Sequence, residues 1–335
     1  MGKARYFYID VLRITAIVFI LYNHSLLFDS IYFMNPGAEE LFLTLAALLS
    51  KCGPPIFFMI SGALLLGRNE TFKQVFTHRI LRFIVVIIAV SIIMSVYSGA
   101  AISDYPYLLF VKVNWYFYAY LAFLLMLPVL RVIAQKTPDR DMRIAFIIIM
   151  AFYSFGALIP VFDLYSPITQ YLGLFTSSWP SNCWCIIFPL MGYYLANNKV
   201  RIRPFAIGSA VCAVIAILLT FYVRSHSMPI QTEEEVIQRL VILPACLVFA
   251  LAKNYASCSS KVGLAVAEEI AGTCFGIFIL ERSFCLSEFT KHYIADNLPS
   301  SALVPASLVQ IAAEFILFAM VVYLLRRIPA IRKYL

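Results

Sequence analysis

Ten windows of about 20 residues in this chain consist almost entirely of Leu, Ile, Val, Phe and Ala. They fall at 6–29, 41–66, 80–100, 115–134, 143–160, 183–197, 205–223, 237–253, 270–289 and 304–326. That length carries an α-helix across the roughly 30 Å hydrocarbon core of a bilayer. Lipid offers no partner to a backbone N–H or C=O, so a segment that spans it as an isolated strand is excluded. The expected fold class is therefore all-α: a polytopic membrane protein, a bundle of about ten transmembrane helices. Composition agrees, since 62% of the 335 residues are hydrophobic and 13% charged, a balance that excludes an ordinary soluble domain. The sixth window is short. The second is interrupted by Lys51-Cys52-Gly53-Pro54-Pro55, where the proline pair predicts a kink or break. No connecting loop is much longer than about 22 residues, so residues 1–335 are expected to form a single transmembrane domain. No internal repeat stands out, although 57–64 and 188–195 look faintly alike.

The basic residues set an orientation. With the N-terminus inside, nineteen loop Lys and Arg residues fall on the inner side and three, Lys112, Arg224 and Lys291, on the outer. This is the positive-inside pattern, and it predicts both termini in the cytoplasm. The net charge of +8 is thereby spread over short loops, so no nucleic-acid partner is expected. Lys3 and Arg5 resemble a signal-peptide start, but Asp10 and Arg13 interrupt the apolar stretch, and a retained first helix is expected. Eight cysteines without a CxxC pair and only four histidines argue against a metal site. Trp115, Trp179 and Trp184 lie at helix ends, where an aromatic belt would place them.

Charge inside an apolar window is costly and marks function by default. The first window holds Asp10, Arg13 and His24. Arg13 and His24 are eleven residues, almost three turns, apart, so they share one helix face about 16 Å apart along the axis. Asp10 lies one turn before Arg13. That face must line a cavity or a partner helix. His24 suits a general base acting on a hydroxyl group, or a packing residue hydrogen-bonded to a neighbouring helix. Arg79 and Arg82, at i and i+3 near the start of the third window, converge on one spot, with Arg68 and Lys73 before them. Arginine forks match phosphate groups, and they also match lipid headgroups at an inner rim. Ser61 and Gly62 in Pro54-Pro55-Ile56-Phe57-Phe58-Met59-Ile60-Ser61-Gly62 suit close helix packing. Glu281-Arg282, Glu314 and Arg239 suggest compensating pairs within the membrane, with Glu281 placed to face a cavity. The Glu233-Glu234-Glu235 run reads as a solvated helix start outside the membrane.

These motifs resemble the acyltransferase-3 family of integral membrane O-acyltransferases. Arg13 and His24, separated by ten residues within the first helix, look like its opening signature, and the 57–62 run is similar to its second-helix motif. Arg79 and Arg82 match its basic motif. Pro189-Leu190-Met191-Gly192-Tyr193-Tyr194-Leu195 and Gly276-Ile277-Phe278-Ile279-Leu280 resemble later landmarks. Many members end the last of these with His, where this chain has Glu281, and some carry an extra extracytoplasmic hydrolase-like domain, which is not expected within residues 1–335. The resemblance implies transfer of an acyl group, usually acetyl, from cytoplasmic acyl-CoA (acetyl-CoA as donor substrate, with no bound cofactor) to a hydroxyl of an envelope polysaccharide or lipid-linked sugar. Under it His24 would be the base, Arg13 would orient it or bind donor phosphate, and Asp10 would hold Arg13. Arg79, Arg82 and Arg68 would take the CoA phosphates, while Glu281, Ser61 and Trp179 would face substrate. Tyr165, Tyr171 and Trp179 could stack on a sugar or belong to the interfacial belt. The expected location is the cell (inner) membrane. The alternative is a secondary transporter or flippase that uses the Asp10/Arg13/His24 stripe as a relay.

Overall fold

The computed structural model describes residues 6–25, 38–97, 99, 115–162, 184–284, 293, 297–298 and 300–332. Within them every apolar window is helical. The principal helices are α1 (Phe7–Asn23), α2 (Ala38–Ser50), α3 (Gly53–Leu65), α4 (Leu81–Tyr97), α5 (Trp115–Lys136), α6 (Asp139–Phe155), α7 (Trp184–Asn197), α8 (Ile202–Ser225), α9 (Ile230–Arg239), α10 (Ile242–Tyr255), α11 (Lys261–Phe284) and α12 (Ser300–Leu325). Seven helical stretches among the described residues are long and apolar enough to cross a membrane, eight if the bent pair α9–α10 forms one span. This is a multi-pass membrane protein. The count is slightly below the ten windows because α1 has 17 residues and α7 only 14.

Those two short helices sit inside the bundle. α1 packs against α2, α3, α10, α11 and α12 and buries Leu12, Ala16, Ile17 and Leu21 completely. The helices around it expose apolar rows instead, such as Val211, Val214, Leu218 and Phe221 on α8. Water would penalise such a row and lipid accepts it.

Local breaks follow from local sequence. The second window divides at Lys51-Cys52, and Pro54 and Pro55 occupy the first turn of α3, where a missing N–H costs nothing. The expected 237–253 helix is likewise split, α9 meeting α10 at 45°. Pro244 has no N–H to offer the carbonyl of Leu240, so the ladder fails at that point. α11 begins at Lys261, not near 270, which carries its first turns onto a charged stretch. Before α4, a capping box joins Thr71 and Gln74, and a π-helical turn follows at Phe76–Ile80. The wider turn re-aims His78 and Arg79 relative to a continuous α-helix.

The closest helix pair is α3 with α7. A Cβ on Gly62 would collide with the Pro189 backbone, and one on Gly192 with the Met59 backbone. The two faintly similar stretches, 57–64 and 188–195, are thus the two halves of a reciprocal crossing. Glycine at both contact points lets the backbones meet, as small residues do between membrane helices.

The Glu233–Glu235 run differs from the expected solvated start. Glu233 is buried and accepts from Arg224 Nε and Nη2 at 3.0 and 2.7 Å. Glu234 accepts from the buried Lys51 at 2.7 Å, and Glu235 pairs with Arg239 at 3.3 Å. Each carboxylate meets a cation from α8, from the α2–α3 turn or from its own helix. Arg239 also donates to the Gly156 carbonyl at 2.7 Å, the compensation expected of a buried guanidinium. Glu314 accepts from Gln310 at 3.0 Å, and the side chain of Arg282 lies outside the described residues.

Candidate active site

The ionisable stripe of α1 serves two cavities. Arg13, two turns from the helix start, lines a cavity of about 500 Å³, whereas His24, at the other end as the C-cap, lines a separate pocket of about 80 Å³. Tyr116 of α5 lines both. Its ring meets that of Phe278 of α11 edge-on at 5.2 Å, and the pair forms an aromatic partition.

The larger cavity collects cations. Arg13, Arg68, Arg79, Arg82 and Arg326 line it together with His78, Ser61 and Tyr120, and no carboxylate is among its lining residues. Its volume suits a ligand of small-molecule size, and its charge suits an anion. Arg79, in the π-helical turn, and Arg82, in α4, both line it. Arg13 is steadied by the buried Asp10 at 3.4 Å. Ser61 donates to the Phe57 carbonyl at 2.9 Å and lies 3.5 Å from the Tyr120 hydroxyl.

Glu70, between α3 and α4, holds Arg79, one of the arginines that line this cavity. It accepts from Arg79 through both carboxylate oxygens, at 3.1 and 2.6 Å, and from Arg131 at 2.7 Å. Arg131 is itself buried and also donates to the Leu65 and Glu70 carbonyls. Hydrogen bonds from Arg79 above all, then from Arg131, hold the Glu70 carboxyl down at about 2. The Arg79 fork is thus already engaged by a carboxylate, which positions it at the cavity edge. Arg326, from the end of α12, completes the ring, its guanidinium lying over Gly272. Sequence reasoning counted Arg131 and Arg326 only toward membrane orientation and passed over Glu70. Their one signal was charge close to a helix end.

At the other end His24 Nδ1 lies 3.0 Å from Glu281 Oε1, across 257 residues of sequence. Glu281 is buried, and its second oxygen makes no hydrogen bond among the described residues. In the tautomer that carries its proton on Nδ1, the imidazole donates to this oxygen and Nε2 is left as the basic nitrogen. The surrounding pocket adds Asn23, Lys51, Gln238, Trp115 and Trp184. Trp184 departs from the aromatic-belt expectation: it is buried, its indole N–H donates to the Tyr153 hydroxyl at 2.6 Å, and its ring meets Trp115 edge-on at 5.6 Å. Both indoles therefore turn into the protein. Trp179, Tyr165 and Tyr171 lie outside the described residues.

The sequence matches the model of the acyltransferase-3 family, described as an acyltransferase domain, over residues 6–330. The chain belongs to the acyltransferase-3 family. It is thus a membrane acyltransferase, with an acyl donor and an acceptor as its substrates. No protein of curated function and no solved structure matches it. In this acyltransferase the first-helix signature comprises two residues with different neighbours, Arg13 in the cationic cavity and His24 against Glu281.

Proposed function

We propose that this acyltransferase moves a short acyl group, acetyl as the first candidate, from acyl-CoA to a hydroxyl of an envelope polysaccharide or lipid-linked sugar. The observation that carries the reading is the His24–Glu281 pair beside a pocket walled by two indoles and polar side chains. The donor's phosphates would rest among Arg13, Arg68, Arg79, Arg82 and Arg326, with the thioester arm directed at the Tyr116–Phe278 partition. The acceptor would enter from the opposite side, presenting its hydroxyl to the small pocket beside His24.

The chemistry then balances. His24 Nε2 takes the proton of the acceptor hydroxyl as its oxygen attacks the thioester carbon. The Glu281 carboxylate stabilises the imidazolium that forms. The tetrahedral intermediate collapses with cleavage of the C–S bond, and the CoA sulfur receives the proton from His24. The products are the ester and free CoA.

On the positive-inside pattern the Arg-lined cavity opens to the cytoplasm and the His24 pocket to the outer face of the cell membrane. Purified protein should release CoA from acetyl-CoA only when a sugar acceptor is present, and His24→Ala should abolish this while still inserting as a folded protein. Full turnover in His24→Ala would end the proposal. Cysteine labelling that reaches residues 131–143 from outside would overturn the orientation.

A further inference from the structure

A further cavity among the described residues plays no part in the proposed transfer. It is a groove of about 800 Å³ bounded by α6, α7, the turn before α8, α8 itself and Leu243 of α10. It shares no lining residue with either site cavity. Its walls are apolar, with Met150, Val211 and Ile215 among them, and Val211 is half exposed, so the groove opens sideways where lipid lies. Its rim at one end is cationic: Arg143, Lys199 and Arg201 all line it. Those three side chains are exposed, and none is ion-paired among the described residues. The carboxylates nearest in sequence are Asp139 and Asp141 in the first turn of α6. Asp139 instead accepts from Asn198 at 3.4 Å.

The dimensions match one leaflet. Arg201 and Ile215 are fourteen residues apart along α8, about 21 Å of helix rise. Half a hydrocarbon core is about 15 Å, and the headgroup layer adds about 6 Å. A chain laid from the rim to Ile215 therefore begins at the depth of a phosphate and ends near the bilayer centre. A zwitterionic lipid would bring no net charge to the three cations, whereas an anionic headgroup would. We infer that this groove is a binding site for a glycerophospholipid with an anionic headgroup, its phosphate among Arg143, Lys199 and Arg201 and an acyl chain along Val211 and Ile215.

The test is quenching of a tryptophan introduced by Val211→Trp, in phosphatidylcholine vesicles containing brominated phosphatidylglycerol or brominated phosphatidylcholine. With about a fivefold preference per basic side chain near a membrane surface as the upper guide, half-maximal quenching should need roughly tenfold less phosphatidylglycerol than phosphatidylcholine. Adding Arg143→Gln, Lys199→Gln and Arg201→Gln should erase the difference. Equal dependence on both lipids in the parent reporter, or an unchanged preference after neutralisation, would overturn the inference. Relief of quenching by an equimolar polyprenyl phosphate would also overturn it, by assigning the groove to an isoprenoid carrier. The unaltered chain supplies an independent readout. Native mass spectrometry from mixed micelles should show phosphatidylglycerol retained over phosphatidylcholine, and equal retention would count against the site.

Discussion

Glu281→Gln is the most direct probe of the proposed chemistry, because it keeps the shape of the side chain and removes only its charge. The carboxylate stands 3.0 Å from His24 Nδ1 and is buried. When His24 takes the acceptor proton, a positive ring forms about 4 Å from the centre of that carboxylate. At an effective dielectric constant near 20 the pair is worth about 4 kcal/mol, or roughly three decades in rate. A glutamine can also turn its amide N–H toward Nδ1, which would place the ring proton on Nε2 and remove the base. Both effects act in the same direction, so turnover should fall by about 10²–10⁴-fold. The assay is CoA release by purified protein with a sugar acceptor, at several donor concentrations. The KM for acyl-CoA should hold steady, because the Arg-lined cavity proposed for the donor lies beyond Tyr116. Joining Glu281→Gln to His24→Ala should cost no more than His24→Ala alone, since the two act as one unit. A loss under about threefold, or a loss wholly in donor KM, would refute the base assignment.

Three further outcomes are expected. Arg79→Ala should weaken donor binding by roughly ten- to hundred-fold, with Arg79→Lys restoring only part of it, while a pantetheine thioester lacking the nucleotide phosphates should be far less affected; equal losses for both donors, measured by equilibrium binding, would assign Arg79 to packing. Glu70 is held down at about 2, so its ion pairs contribute stability above the ordinary carboxyl range near 4.5 and lose it as pH falls through about 2; thermal melts should show an acid-side decline that Glu70→Gln flattens, and an unchanged slope would dismiss the cluster as a stabiliser. Gly62→Ala should destabilise by about 1–3 kcal/mol or more, because α3 and α7 must part, whereas Gly67→Ala, whose Cβ would meet only a Tyr193 ring carbon at 3.4 Å, should melt like the parent.

The sequence made the membrane class plain, because a run of apolar side chains long enough to cross lipid admits few other folds. Helix positions followed from the same runs and the breaks from proline. Pairing across the bundle was far less legible. Glu281 and His24 each stood out as charge in apolar surroundings, yet no spacing rule joins residues 257 apart. Arg79 and Arg82 could be placed on one face by their i, i+3 spacing, but the capture of Arg79 by Glu70 depends on how the turn after α3 folds back. The Glu233–Glu235 run looked solvated because its cations come from Lys51 and Arg224 on other elements. Trp184 looked interfacial because a helix end and a membrane surface coincide in sequence, whereas the ring turns inward to Tyr153.

The division of α1 between two cavities bears on how such a reaction could be confined. A thioester in contact with bulk water is open to hydrolysis, and a base beside it would accelerate that loss as readily as transfer. On the proposed reaction the donor's charged part is held among arginines, and the base stands about 16 Å away along the same helix. Between them Tyr116 and Phe278 meet edge-on at 5.2 Å, in van der Waals contact, so a transferred group could pass only if their rings move. The partition would then serve two ends. It would keep water on the donor side from His24, in the way closed sites suppress side reactions. It would also restrict the transferred group by size, because a longer acyl chain would have to displace further two packed aromatic rings, one of which, Phe278, is also packed against Phe117. Recognition of the anionic donor and activation of the acceptor hydroxyl would thus be set by different residues on one rigid helix.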